Sequence, residues 1–519
     1  MPNQTQPNDS RAWTRGDLVL LVVTTSVCVL VVLDANMVAL SLPSISRDFG
    51  TAFDQLEWVI SAYLITFTSC MLPAGGFADR FGRRTVLLSG LVVFTVASIG
   101  CGTAHSPTTL DAWRAVQGIG AAFQLTSALS IIGNAFTGTS LASKAWAIWG
   151  TCIGLTTCLA PIIGGVFTDV FGWRSIFLIN GPLGIVIFAL VRSIVPDSRS
   201  ATRRPLDIAG SLLFACSLGV LIWALISANG AGWLARPTLI KWGVAFVSFV
   251  VFLLVEQRRA HAMVDLKLFR SGVFNAGVIG MFGYAASAQV LLTLFPLYLQ
   301  VWFNVSPLHG GLMMLPFAAL MLLGPSIGSH IGRGRSVHFL LCIGFVIVLI
   351  GNLAASAVAT SGHYWPVAIA MCVIGLGGGI LNGTTVQAIM EVAPKERAAM
   401  ASGLASATRF AGIVMSIGVL GAVMSQRAHL FFSDRVADTG IRPDILTTFI
   451  NRVLSGDAEH TSGLLPDAIH ASMLLAARTA SAVGFADALL VSGAVSLLSC
   501  LAIVVLTRRA RVARSAQPI

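Results

Sequence analysis

The chain has 519 residues, of which 55% are hydrophobic and only 11% charged, with a mean hydropathy of +0.83. These proportions exclude a water-soluble globular protein and leave little chain for a separate catalytic domain, so the bilayer is the expected solvent. The formal charge of +11 does not point to nucleic acid, because no basic stripe interleaved with aromatics accompanies it.

Residues 1–16 form a polar tail, with Arg11 and Arg15 just ahead of the first apolar run. That run is too long for the apolar region of a cleavable signal and lacks a small-residue cleavage pattern, so the first span is expected to stay in the mature protein. Apolar runs near 17–40, 56–77, 85–105, 108–132, 144–168 and 174–195 predict a first six-helix bundle over 17–195. A charged linker, 196–206, separates it from two inserted spans near 207–228 and 239–256. Runs near 273–302, 309–330, 337–360, 365–390, 399–426 and 482–507 predict a second six-helix bundle over 272–507, interrupted by a long outer loop, 428–480. A basic tail, 508–519, ends the chain. The expected fold is thus an all-α polytopic membrane protein of fourteen spans.

Fourteen spans put both termini on one side, and the basic residues choose which. Arg80, Arg83, Arg84, Lys144, Arg192, Arg203, Arg204, Arg258, Arg259, Arg508 and Arg509 all fall in loops on the side of the termini. The other side has few, except in 428–480, where acids balance them and where a long loop obeys the rule least. Both termini are therefore expected in the cytoplasm, with the protein in the cell membrane. Within 428–480, Leu446, Phe449, Ile450, Val453 and Leu454 recur at helical spacing and predict an amphipathic helix lying on the protein or the lipid surface. All nine cysteines lie in apolar runs without zinc-type spacing and are expected to be packing residues.

Between the second and third runs stands GGFADRFGRR, Gly75 to Arg84. Its order, G-x-x-x-D-R-x-G-R-R, resembles the loop signature of the major facilitator superfamily. LDANMVALSLP, Leu33 to Pro43, is similar to the first-span signature of the family's fourteen-span drug:proton antiporters. LDAWRAVQGIGAA, Leu110 to Ala122, resembles the family's arginine motif through Arg114, Gln117, Gly118 and Gly120. LAPIIGGVF, Leu159 to Phe167, resembles the antiporter motif through Pro161, Gly164 and Gly165, although Thr156 and Ala160 stand where that motif has glycine. GWRSIFLINGPLG, Gly172 to Gly184, opens the sixth span in the family's manner. The resemblance implies the major facilitator fold and alternating access. It also implies a conformational latch at Gly75, Asp79, Arg80, Gly82, Arg83 and Arg84, with Asp79 facing a helix N-terminus and the arginines pairing with acids across the cytoplasmic seam. A second copy, PSIGSHIGRGR from Pro325 to Arg335, has Ser329 where Asp79 would correspond, so its latch is expected to be weaker.

Ionisable residues at membrane depth are costly unless paired or wet, which gives each a functional prior. Asp34 lies about six residues, roughly 9 Å, inside the outer end of the first span, and Arg114 lies at the same depth in the fourth. An acid and a base at matching depth can meet, and the pair is expected to couple protons or to bind substrate, against the alternative of a static ion pair. Arg409, Asn382, Gln387, Gln124 and Gln289 are further candidates for the cavity; a role for Arg409 in holding spans together weighs about equally. Asp487 is expected at a solvated interface.

The expected activity is export of small hydrophobic or amphiphilic compounds, such as drugs, dyes or antibiotics, in exchange for protons. A dedicated transporter of one metabolite is the alternative, and a non-transporting receptor or scaffold ranks below it. No H-E-x-x-H, credible G-x-S-x-G or paired in-span acids suggest an enzyme, and no Walker A sequence suggests ATP. The proton gradient is the expected energy source, without a cofactor, and the chain is expected to work as a monomer. Scarce acids within the spans, with Arg409 basic, disfavour divalent organic cations and favour neutral, monocationic or zwitterionic substrates.

Overall fold

The computed structural model describes residues 13–50, 53–136, 141–198, 207–258, 266–332, 335–390, 398–437, 441–456, 461 and 465–515. Outside the description lie the tail to residue 12, most of the linker 196–206, the last four residues, and some helix side chains, that of Asp79 among them. Hydrocarbon offers the backbone no hydrogen-bonding partner, so apolar runs of this length close their bonds internally as helices.

The first half comprises α1 (Arg15–Phe49), α2 (Phe53–Phe81), α3 (Arg83–Gly102), α4 (Pro107–Phe136), α5 (Ala142–Phe171), and the broken pair α6 (Ser175–Leu178) and α7 (Asn180–Ile194). A hairpin of α8 (Ile208–Ala231) and α9 (Arg236–Arg258) follows. The second half begins with α10 (Gly272–Tyr284), which passes through a π-helical turn, Ala285–Gln289, into α11 (Leu291–Phe303). It continues with α12 (Pro307–Met313), α13 (Leu315–Ile331), α14 (Val337–Val358), α15 (Tyr364–Met390), α16 (Ala398–Val436), α17 (Pro443–Leu454) and α18 (Asp467–Ser515). Among the described residues eleven helical stretches are long and apolar enough to cross a membrane, and the bent α5 makes a twelfth. α2 and α8 contribute the shorter apolar windows Trp58–Met71 and Ala209–Leu225, so the helices fall in the order of the fourteen expected spans.

Polar caps mark several starts. Thr14 and Asp17 form a reciprocal capping box at α1, each backbone N–H donating to the other side chain at 3.1 Å. Asp207, Ser271, Ser306 and Ser336 cap α8, α10, α12 and α14. Helix directions follow from side-chain contacts. Gln300 of α11 reaches Leu40 of α1, so these two run in parallel. Ser287 beside α10 accepts from Ser492, while Gly280 lies near Ile503, so α18 runs back against α10. The starts of α1 and α10 and the end of α18 therefore share one face.

Close helix approach is bought with glycine in both halves. A Cβ on Gly120 would stand 2.5 Å from the Phe94 nitrogen, and one on Gly90 would stand 2.7 Å from the Gln124 nitrogen, so α3 and α4 touch along their backbones. In the second half, a Cβ on Gly324 would stand 2.6 Å from Gly379 Cα, joining α13 to α15 in the same way. The α8–α9 hairpin is peripheral: α8 lies against α2 and α16, and α9 rests on α8 with only 17% of its apolar window buried.

The segment 428–480, expected as a loop, is largely helical. α16 runs on to Val436, α18 starts already at Asp467, and α17 lies between them. The amphipathic stripe of α17 is seated on the protein rather than on lipid: Phe449, Ile450, Val453 and Leu454 are at most 1% exposed, and Phe449 stacks on Phe432 of α16. An apolar stripe seeks cover, and the extended ends of α16 and α18 supply it. Asp487 pairs with Arg427 of α16 at a partly exposed position.

Packing of this kind makes the effect of a single methyl group depend on where it lands. Gly120→Ala should lower the melting temperature of detergent-purified protein, because backbone atoms of α3 must give way. Gly133→Ala, in the same helix but facing open space, should leave it unchanged or raise it, since alanine stabilises a helix interior by about 0.5–1 kcal/mol over glycine. Equal effects would contradict the close approach of α3 and α4.

Candidate functional site

The two acid and base residues at matching depth do meet. Arg114 Nη1 of α4 donates to Asp34 Oδ2 of α1 at 2.9 Å, and the two side chains are each 1% exposed. A buried ion pair holds only if its other polar atoms also find partners, and several do here. Asp34 Oδ1 accepts from Gln117 Nε2 at 2.9 Å and from Asn180 Nδ2 of α7 at 2.7 Å. Arg114 Nε donates to the Val59 carbonyl of α2 at 2.9 Å, and Nη1 also donates to Gln117 Oε1 at 2.6 Å. Ser98 of α3 accepts from Asn180 at 2.9 Å and from Gln117. The guanidinium lies over the Tyr63 ring, 4.2 Å from its centre, a favourable placement for a desolvated cation.

Sequence reasoning found Asp34, Arg114 and Gln117 but missed Asn180, Ser98 and Tyr63. Asn180 stands inside the GWRSIFLINGPLG stretch, where an amide in an apolar run was the available signal. Ser98 and Tyr63, neither charged groups nor amides, carried none. In the arginine motif, Gly118 and Gly120 serve as contact points: a Cβ on Gly118 would collide with the Tyr63 carbonyl and Thr66, and one on Gly120 with α3.

The antiporter-motif residues lie where the two halves touch. Pro161, Gly164 and Gly165 are buried. A Cβ on Gly165 would stand 2.7 Å from the Pro307 carbonyl of α12, and one on Gly311 would strike the Pro161 carbonyl. α5 and α12 are thus in backbone contact across the halves. Nearby, Gln300 Nε2 of α11 donates to the Leu40 carbonyl at 3.1 Å, and Gly456 beyond α17 lies against Pro43. All of these contacts lie at the face opposite the start of α1, and they shut it. A polar cavity of about 270 Å³ remains there, lined by Arg47, Asp169, Asn304, Ser306 and Arg478 among others.

At the opposite face the latch loop joins α2 to α3. Gly82 takes a left-handed φ of 105°, which favours glycine, and a Cβ there would stand 2.6 Å from Asp197 Oδ1. Arg83 N–H donates to the Ser198 carbonyl at 2.9 Å, and Arg84 Nη1 donates to the Val195 carbonyl at 3.2 Å. Arg84 therefore answers an open carbonyl at the end of α7 in its own half, not an acid across the seam. Arg80 is exposed and lies over Phe81, and Gly75 faces Thr126 of α4. The reading of Asp79 lies outside the described side chains.

The remaining candidates are dispersed. Gln124 is fully buried, with neither amide atom bonded, and Gln289 Oε1 is enclosed and likewise unbonded. Asn382 is half-buried and Gln387 exposed, both on α15. Arg409 of α16 is half-buried, with an enclosed and unbonded Nε; its guanidinium carbon lies 5.7 Å from the centre of the Tyr284 ring.

The Asp34–Arg114 network yields a stability test. Removing one partner leaves an unanswered buried charge, which costs about 3–5 kcal/mol. Arg114→Gln and Asp34→Asn should therefore each lower the thermal stability of purified protein, and the double variant should lose less than the two losses added together. Simple additivity would show that the pair is not energetically coupled.

The profile of the Major Facilitator Superfamily matches residues 24–417. Multidrug resistance protein Stp of Mycobacterium tuberculosis is 32% identical over 79% of this chain and 76% of its own length. The tetracenomycin C resistance and export protein of Streptomyces glaucescens is 29% identical over 93% of this chain and 90% of its own. Among solved structures, a bacterial homolog of the human lysosomal transporter Spinster, inward-facing and unoccupied, superposes with a TM-score of 0.68 at 15% identity, covering 96% of this chain and 98% of that one. With its polytopic helical fold, its buried charge network and a profile match across most of its length, the chain belongs to the major facilitator superfamily and is a membrane transporter rather than an enzyme.

Proposed function

We propose that this transporter is a proton-coupled exporter of small hydrophobic or amphiphilic compounds, of the drug, dye or antibiotic kind, residing in the cell membrane with both termini in the cytoplasm. Its working parts are a bundle over 17–195 and a second over 272–507, with the 207–256 hairpin appended and 428–480 capping the outer face. The reading is supported by relatives named for multidrug resistance and for antibiotic resistance and export. One observation carries the coupling: Asp34 is sealed against Arg114 while the face nearest to it is shut.

An acid beside a guanidinium favours its charged form, and an acid left in apolar surroundings favours the neutral one. Asp34 shares α1 with Leu40, whose carbonyl helps to close the halves, and with Met37, which packs where Gly164 leaves room. Opening that face moves α1 against α5 and α11. The movement loosens the Asp34 contacts and exposes the acid to protons from outside; closing returns it to Arg114 and releases the proton inward, while substrate takes the opposite course. The latch loop, with Asp79 and Arg84, holds the cytoplasmic ends during the outward-open phase.

Asp34→Asn should abolish efflux of ethidium driven by a pH gradient in proteoliposomes, while ethidium binding to the purified variant stays measurable. Full gradient-driven efflux would exclude Asp34 as the coupling site. The orientation is tested separately: reporter fusions after residue 515 should be active only in the cytoplasm, and those within 441–456 only outside. A C-terminal reporter active outside would overturn the topology.

A further inference from the structure

Arg409 is a basic group within a span that the Asp34–Arg114 network does not engage. It sits on α16 one residue from Phe410, whose ring meets Phe67 of the first half edge-on at 4.5 Å, so it lies beside the seam between the halves. Tyr284, the residue it faces, is about twelve residues, or roughly 18 Å, into α10, and about sixteen residues, or roughly 24 Å, short of the closing contact at Gln300. That is mid-membrane depth, where transporters of this construction place their ligands.

A guanidinium at that depth is expensive unless it is answered. Asp34 is engaged by Arg114, Gln117 and Asn180 and offers Arg409 nothing. Among the described residues no acid or carbonyl bonds Arg409; its one contact of note is the face of Tyr284, and its Nε is enclosed and unbonded. A role in tying helices together through a backbone carbonyl is therefore not what the geometry presents. Tyr284 is itself 0% exposed, and its hydroxyl has no hydrogen-bond partner. Buried hydroxyls nearly always have one.

The backbone around this pair is also unusual. Tyr284 leads directly into the π-helical turn, where Val290 N–H donates to the Ala285 carbonyl at 3.0 Å, five residues back. Such turns recur at functional sites. This one is pinned from outside the helix, because Asn352 Nδ2 and Ser492 Oγ both donate to the Ser287 carbonyl, at 3.2 and 2.8 Å. It places Gln289, whose Oε1 is also enclosed and unbonded, one wide turn from Tyr284. On the other side Gly378 of α15 lets that helix pack close to the turn: a Cβ there would stand 3.2 Å from Ala288 Cβ and 3.9 Å from Tyr284 Cε2. Asn382, one helical turn further along α15, is half-buried and unbonded in its side chain.

We propose that Arg409 and Tyr284 form the binding site for an anionic group, a carboxylate or ionised phenol, on an otherwise apolar substrate. The guanidinium supplies a planar fork that an oxyanion matches, and the tyrosine hydroxyl adds a further donor. Apolar walls from α10, α15 and α16 accept the body of the molecule, and Arg409 is left half-exposed to receive it. The proposal rests on the exporter reading and adds to its substrates, beside neutral and cationic compounds, those with one acidic group, zwitterions included.

Binding to detergent-purified full-length protein, without a gradient, separates this proposal from the exporter reading. Two dyes with the same xanthene core serve as probes: fluorescein, which is anionic, and rhodamine 6G, which is cationic. Fluorescence polarisation should show fluorescein binding that falls about tenfold or more in Arg409→Gln, the scale of a lost charge-assisted hydrogen bond, and less in Arg409→Lys and Tyr284→Phe. Rhodamine 6G should bind Arg409→Gln as well as it binds the unmodified chain, or better. Melting temperatures of the variants identify misfolding, and if Arg409→Gln fails to fold, Tyr284→Phe and Arg409→Lys carry the comparison. Failure of the unmodified chain to bind fluorescein, or equal loss of both dyes in folded variants, would overturn the site. Retained dye discrimination without any efflux in proteoliposomes would instead count against the exporter reading and leave the anion site standing.

Discussion

A pair of charges that water cannot reach organises the first half of this transporter. Asp34 and Arg114 are almost fully enclosed, and the atoms that answer them come from α1, α2, α3, α4 and α7. Five helices are thus tied at one depth by groups that cannot be separated cheaply. Each helix can pivot about that point but cannot slide past it without exposing a charge to hydrocarbon. The network is consequently both a structural anchor and the element whose opening costs most, which is what a coupling site needs if proton movement is to control a conformational step.

Contacts between the halves are of a different kind. At the closed face, among the described residues, they run through backbone and glycine, Gly165 against Pro307 and Gly311 against Pro161, beside a side-chain hydrogen bond from Gln300 to Leu40. Surfaces held by van der Waals contact and few polar bonds part at low cost, and they part as units, because each half is internally packed backbone to backbone. The seal and the charge pair share α1: Leu40 is six residues beyond Asp34, less than two turns of helix. Movement of that helix cannot be confined to one of them.

Much of this was legible in the sequence because the bilayer enforces a simple code. Long apolar runs had to be helices, and equal residue counts from the outer ends of two spans placed Asp34 and Arg114 level with each other. What escaped depends on contacts far apart in the chain. Asn180 reaches Asp34 over 146 residues, and an amide in an apolar run announces a polar contact without naming its partner. The helical ends of α16 and α18 escaped for another reason: beyond the membrane their sequences turn polar, so an apolar-run criterion stops there although helix propensity does not. For the arginines of the loop between α2 and α3 the expected partner was an acid, whereas Arg84 bonds an open carbonyl at the end of α7 that lay nearer to hand.

The two halves repeat one architecture yet treat charge in opposite ways. In the first, Asp34 and Arg114 answer one another and take further partners from Gln117, Asn180 and the Val59 carbonyl. In the second, Arg409 Nε, the Tyr284 hydroxyl and Gln289 Oε1 are enclosed and unanswered, although leaving such groups unbonded costs about 1–3 kcal/mol each. Uncharged buried groups stay open in both halves, Tyr63 and Gln124 in the first as Tyr284 and Gln289 in the second, so it is the cation without an acid among the described residues that sets Arg409 apart. An acceptor from outside the chain would answer Arg409 Nε and the Tyr284 hydroxyl, both donors, whereas Gln289 Oε1 calls for a donor. On the reading proposed above, the first half takes the proton and the second half the cargo, and the backbone contact of α5 on α12 lies between them.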